Sequence, residues 1–208
     1  MAESGSWDSI QKNGLFSTSA LLDQFQVSGD RRIELETKQR KVCVNVGQFP
    51  CGPAIIRDQI PLNEGALRKI VQGMSAEEYY KLLNGKTFFW TRKERLERLL
   101  NGRQYRDRVH DVLTIDTRTL ISKHKADVWL SRINSGAFYG SGIRGVDTFK
   151  RIEDYPFEDL RRRQKEDAVV EVAVDYAVPD IAEMTLRVES WKGGAPVRTI
   201  WTNRRFDS

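Results

Sequence analysis

EDAVVEVAVDYAVPDI, residues 166–181, carries a charge where a β-strand should have none. Ala168 to Val174 reads as a valine-rich strand. Side chains alternate along a strand, so Val170, Val172 and Val174 share one face while Val169, Glu171 and Ala173 share the other. A carboxylate among apolar neighbours costs free energy unless it is paired or serves a ligand. Two readings of Glu171 follow. In one it pairs with an arginine, such as one from LRRR at 160–163, or faces water at a sheet edge. In the other it stands on a rigid strand at the floor of a cleft, accepting hydrogen bonds from a substrate hydroxyl or acting as a general base.

The 208 residues suit one domain, 1–208, with a single sizeable core. Hydrophobic residues at 39% and charged residues at 30% place the chain among folded globular proteins rather than disordered ones. No apolar run approaches membrane-spanning length, and the polar opening MAESGSWDSI lacks a signal-peptide pattern, so a cytoplasmic protein without a membrane partner is expected. Without a secretion signal, Cys43 and Cys51 are expected as reduced thiols. Together with His110 and His124 they give no metal-ligand spacing, so no metal site is expected.

The net charge of +5 is clustered. TRKERLERLLNGRQYRDR, residues 91–108, includes Arg92, Arg95 and five further basic side chains; LRRRQK adds Arg161 and Arg162, and NRRF closes the chain. Such patches suit a polyanionic partner, because released counterions drive binding to phosphates. The alternative is a solvated helix face laced with i,i+3 and i,i+4 ion pairs.

Along the chain, SGSWDSIQKNGL reads as a short helix stopped at Gly14, followed by a helix in TSALLDQF. The charged stretch GDRRIELETKQRK leads to strands in VCVNV and AIIRDQ. Asn63 is placed to cap one helix, and Ser75 with Glu78 and Thr91 with Glu94 form two capping boxes. KTFFW, DVLTID and ADVWLSRI read as strands, TRTLISKH and PFEDLRRRQ as helices, and TLRVESWKGGAPVRTIW as a hairpin turning at Gly193-Gly194. Helices dominate the first half and strands the second without βαβ alternation, which points to an α+β fold. GxGxxG, GxxxxGK[ST] and GxSxG are all absent, so the common nucleotide-binding and hydrolase patterns do not apply.

Three further groups bear on chemistry. Arg57 closes an apolar run beside Asp58, and is either half of an Arg57–Asp58 surface pair or a clamp for a pyrophosphate. Of Phe88, Phe89 and Trp90, at least one ring packs in the core while another is free to line a pocket and stack on a flat ring. NSGAFYGSGIRG, residues 134–145, is long and glycine-rich enough to be a binding loop; the alternative is a surface excursion.

The order of these pieces resembles DarT-type ADP-ribosyltransferases and a related bacterial family of uncharacterised proteins. SGSWDSIQKNGLFST is similar to the opening helix and GL step; GDRRIEL, TFFW and VLTIDTRTL follow in order, then a variable loop, a basic helix and VVEVAVDYAVPDI. In DarT-type enzymes the matching valine-rich strand with its VP step carries the catalytic glutamate, and Glu171 falls on that position. The resemblance implies a split pair of small β-sheets around an NAD cleft, with ADP-ribose transferred from NAD to a nucleophile and nicotinamide released. It implies Glu171 as the catalytic carboxylate, with Arg31 or Arg32 the nearest match to a supporting arginine. It puts Ser6, Gly14 and Leu15 on the NAD side, Phe89 or Trp90 at the nicotinamide and Arg57 near the phosphates. One departure stands: the family's aromatic-His pair, placed just before the segment that begins here at Met1 and with a histidine that contacts the adenosine half of NAD, has no equivalent here, so either the start is misassigned or truncated or NAD is held differently.

With the basic clusters, the resemblance favours a base in single-stranded DNA or RNA as acceptor, unstacked to reach the anomeric carbon. Arg92, Arg95, the loop residues Asn134, Ser135, Tyr139 and Arg144, and the helix bearing Arg161 and Arg162 are expected to touch it. The implied setting is a toxin of a toxin–antitoxin or phage-defence system, with a protein antitoxin or an ADP-ribose-removing partner. Two rival expectations are a non-catalytic nucleic-acid- or protein-binding module on a decayed transferase scaffold and an RNA 2′-phosphotransferase-like enzyme.

Overall fold

Four of the eight described α-helices start where a short polar side chain, Ser17, Asn63, Ser75 or Asp116, offers its oxygen to the exposed amides of the first turn. The computed structural model describes residues 1–60, 63–137, 142–158 and 168–206. Its first half runs β1 (Ala2–Glu3), α1 (Trp7–Asn13), β2 (Leu15–Phe16), α2 (Thr18–Gln24), α3 (Gly29–Thr37), β3 (Val44–Phe49) and β4 (Gly52–Ile56). There follow α4 (Glu64–Ile70), β5 (Val71–Gln72), α5 (Ala76–Asn84), β6 (Lys86–Trp90), α6 (Lys93–Leu100), β7 (Val109–Ile115), α7 (Thr117–His124) and β8 (Val128–Ser131). The chain continues through β9 (Arg144–Gly145), β10 (Glu171–Asp175), β11 (Ala177–Val178), α8 (Ile181–Met184), β12 (Thr185–Lys192) and β13 (Ala195–Thr202). Helix and strand are mixed in several small sheets. The helix expected over PFEDLRRRQ falls from residue 159 onward outside the described residues.

Ser17 and Asn63 cap α2 and α4, and Ser75 with Glu78 closes the expected capping box on α5. The second expected box does not form. Thr91 instead donates its hydroxyl to the carbonyls of Val169 (2.6 Å) and Val170 (3.2 Å), and α6 begins at Lys93 without a side-chain cap. A tertiary bond has replaced the local one.

Two sheets organise the molecule. One has the order β1-β7-β12-β13 and the other β6-β10-β8, all pairs antiparallel. Gly193 and Gly194, at φ +58° and +74°, make the tight β12–β13 turn that only a residue without a Cβ adopts freely. The central strand β10 begins at Glu171 rather than at Ala168; just before it, the Val170 amide still donates to the Ser131 carbonyl at 2.8 Å. From there the expected alternation holds. Val172 and Val174 pack with Leu130, Val128, Trp7, Ile181 and Val188, while Ala173 packs on the opposite face with Tyr79, Leu83 and Phe149. A central strand covered on both faces explains why the run is valine-rich throughout.

The GL and VP steps quoted above touch each other. Leu15 pairs with Val178 between β2 and β11, and Gly14 sits at φ +100° with the space of its missing Cβ taken by Pro179, whose Cα would lie 2.7 Å away. Gly14→Ala meets both a disfavoured backbone and a clash. It should cost about 1–3 kcal/mol, read as a lower urea midpoint.

Candidate functional site

Strands β6 and β10 border a cavity of about 900 Å³, at the upper end for small-molecule and cofactor sites. Both larger sheets line it. Phe88, Phe89, Trp90 and Glu171 come from β6 and β10; Leu113, Glu189 and Trp191 come from β7 and β12.

Glu171 stands directly across from Trp90 and Ser131 in the sheet, and its side chain is 5% exposed. The Ser135 amide (3.0 Å) and hydroxyl (2.6 Å) both donate to its Oε2. Burial raises the Glu171 pKa to about 7; the two Ser135 bonds and the charges of Arg144 and Arg95 pull it down without overcoming that burial. A carboxylate with this pKa changes charge near neutral pH, the range in which a proton-transfer group is most useful.

A second wall is built from charges far apart in sequence. Arg57 meets Glu3 (2.5 Å) and the His110 Nδ1 (3.2 Å). Asp58 accepts from the Tyr105 hydroxyl (2.5 Å) and from Arg108 (2.9 Å), and Arg108 also reaches Glu3 (3.1 Å). The expected Arg57–Asp58 pair is therefore replaced by Arg57–Glu3 and Asp58–Arg108, though the Arg57 charge still acts on Asp58. Burial, then the nearby Arg57, lowers the His110 pKa to about 4, so the ring is neutral at physiological pH.

Arg40, which sequence reading missed, is a buried arginine in the cavity wall. It donates to the carbonyls of Arg57 (3.1 Å) and Leu35, to Thr18 Oγ1 (3.2 Å) and to Asn84 Oδ1 (2.9 Å). Burial lowers its pKa to about 10, leaving it charged. No local signal marks it: it is one basic residue of TKQRK, and its partners lie up to 44 positions away.

Ser6, Gly14, Leu15, Arg57, Phe89, Trp90, Arg92, Asn134 and Ser135 all line the same cavity as Glu171. Arg95 does not line it but lies near enough to Glu171 to act on it through its charge. Arg31 and Arg32 are elsewhere. They sit on α3, outside the cavity lining, where Arg31 pairs with Glu34 (2.8 Å) and Arg32 with Glu36 (3.0 Å) and Asp23. Helical spacing supplies Glu34 and Glu36 one turn away, and Asp23 comes from α2. Arg144, expected on a nucleic-acid surface, is 4% exposed and holds loop carbonyls. Tyr139, Arg161 and Arg162 lie outside the described residues.

Among the described residues no group of three or more His, Cys, Asp or Glu is placed to hold a metal ion, and no helix is long and apolar enough to cross a membrane. Cys43 and Cys51 are free thiols. The sequence model of DUF7002, a family of unknown function, matches residues 1–185. No curated protein and no solved structure matches the chain.

Proposed function

The chain belongs to the DUF7002 family, and we propose that it is an NAD-dependent ADP-ribosyltransferase acting on a base of single-stranded DNA or RNA. The observation that carries this reading is Glu171: a buried carboxylate on a central strand, at the wall of a large cavity, held by the amide and hydroxyl of Ser135. On this reading the β6-β10-β8 and β1-β7-β12-β13 sheets are the two sheets of an ADP-ribosyltransferase-like fold, with NAD between them.

The donor set of the cavity suits NAD. Trp90 and Phe89 offer flat apolar surface for the nicotinamide ring, and Arg57 and Arg40 supply fixed positive charge for the pyrophosphate. Glu171 accepts hydrogen bonds from the adjoining ribose. Bound NAD supplies an activated glycosidic carbon. The bond from that carbon to nicotinamide breaks with its electron pair passing to the ring nitrogen, and the acceptor's nucleophilic atom bonds to the same carbon. Glu171, when ionised, stabilises the positive charge that develops there and takes the proton released by the acceptor. Arg92, Arg95 and Asn134, near the Glu171 end, are the residues we assign to the nucleic acid. The proposed setting is a toxin held in check by a protein antitoxin or by an enzyme that removes the ADP-ribose.

The test is incubation with NAD and a broad set of single-stranded DNA and RNA oligonucleotides. Nicotinamide should be released and an oligonucleotide should gain one ADP-ribose in mass. Oligonucleotide binding with no calorimetric NAD binding would instead identify a non-catalytic module.

A further inference from the structure

We propose that Arg144 is a positioning residue for Glu171, acting at a distance through the loop that carries Ser135. The inference rests on the reading of Glu171 as the catalytic carboxylate. Arg144 lies on β9, buried, and its guanidinium donates to the carbonyls of Asn134 (3.1 Å), Ala137 (2.7 Å) and Gly142 (2.6 Å). Those carbonyls belong to both ends of the glycine-rich loop, so a single planar fork ties the loop's two arms together. The Ser135 carbonyl is held from another side by the Tyr79 hydroxyl at 3.1 Å. With its backbone fixed on both flanks, Ser135 presents an amide and a hydroxyl to the same oxygen of Glu171.

The arrangement explains two otherwise unconnected facts. An arginine is buried without touching the carboxylate whose charge it senses, and a glycine-rich loop is immobilised at the residue that contacts the site. Lysine cannot reproduce the clasp, because it offers a point charge where three divergent carbonyls need a fork. The charged and titratable groups acting on Glu171 are Arg144 from β9, Arg95 from α6 and Tyr79 from α5, together with the hydrogen bonds of Ser135. Arg144→Lys leaves all of these charges in place and removes only the geometry.

The experiment follows the Glu171 side-chain carboxyl by carbon-13 NMR through a pH titration, with Glu171→Gln assigning the signal. Arg144→Lys should raise the Glu171 pKa by about one, a tenfold change in its protonation constant, because Ser135 no longer stabilises the ionised form. Ser135→Ala should do the same. The double variant should shift by less than the sum of the two single shifts, since Ser135→Ala removes the hydroxyl bond and keeps only the amide bond for the loop to position. With NAD, the single variants should lose nicotinamide-release kcat while KM changes little. Tyr79→Phe loosens the same loop at the Ser135 carbonyl and should move the Glu171 pKa in the same direction by less. A folded Arg144→Lys protein with an unchanged Glu171 pKa, or additive shifts in the double variant, overturns the proposal. So does an unchanged pKa in Tyr79→Phe should Arg144→Lys fail to fold. If the wild-type protein releases no nicotinamide, the functional reading falls, while the NMR comparison still decides the link from Arg144 to Glu171.

Discussion

Glu171→Gln should reduce nicotinamide release on the order of 10²–10⁴-fold while raising the stability of the fold above pH 7. The two effects share one cause. The side chain is buried in the native state, where its pKa is raised to about 7 from the ordinary 4.5. The folded protein therefore holds a proton that the unfolded chain releases between those values. Stability from this group is complete below pH 4.5 and lost as pH rises through 7; the difference is about 3 kcal/mol. Glutamine stays neutral at every pH and escapes that loss. Activity runs the other way, because the proposed chemistry needs the ionised carboxylate: release should climb about tenfold per pH unit below 7 and level off above it. A urea titration at pH 5 and pH 8, beside the rate profile, checks both signs. A Glu171→Gln protein that is inactive and also destabilised at pH 8 would make Glu171 a structural carboxylate.

Asp58→Asn should destabilise the protein by about 1–3 kcal/mol, the usual cost of impairing hydrogen bonds to a buried charged group. The Asp58 side chain is fully covered and accepts from Tyr105 and Arg108, with Cys43 3.3 Å away. Asparagine keeps the shape but removes the charge, leaving the partly exposed Arg108 with Glu3 as its charged partner. Burial pushes the Asp58 pKa up, but the bonds from Tyr105 and Arg108 outweigh it and hold the carboxyl below its ordinary 3.8. Its contribution is therefore present above the ordinary carboxylate range and lost as pH falls through its folded value. The sign is opposite to that of Glu171, so the wild-type protein should be most stable in mildly acidic solution. Urea midpoints from pH 3 to 8 would show the maximum, and Asp58→Asn should flatten its acid limb.

What sequence made visible was what neighbours decide. Valine spacing placed the two faces of β10, Ser75 and Asn63 marked helix starts, and Gly193-Gly194 marked the hairpin. Glu171 stood out because its surroundings made it costly. The Arg57 and Asp58 partners did not stand out, since Glu3, Tyr105 and Arg108 lie 47 to 54 positions away and meet them only through the tertiary fold. Arg31 and Arg32 are a conspicuous basic pair, and their carboxylate partners are near: Glu34 and Glu36 one turn along α3, and Asp23 on α2. Arg144 was not legible as an internal residue, because the glycines around it gave no sign that its guanidinium holds the carbonyls of Asn134, Ala137 and Gly142.

The four-stranded sheet gives the molecule a timetable. β7 is flanked by β1 and by β12, which ends at Lys192, and both Glu3 and Trp191 line the cavity. A ribosome adding about 5–20 residues per second completes the segment carrying Glu171 before it delivers β12. Until β12 docks, the cavity lacks the part of its wall that Glu189 and Trp191 supply.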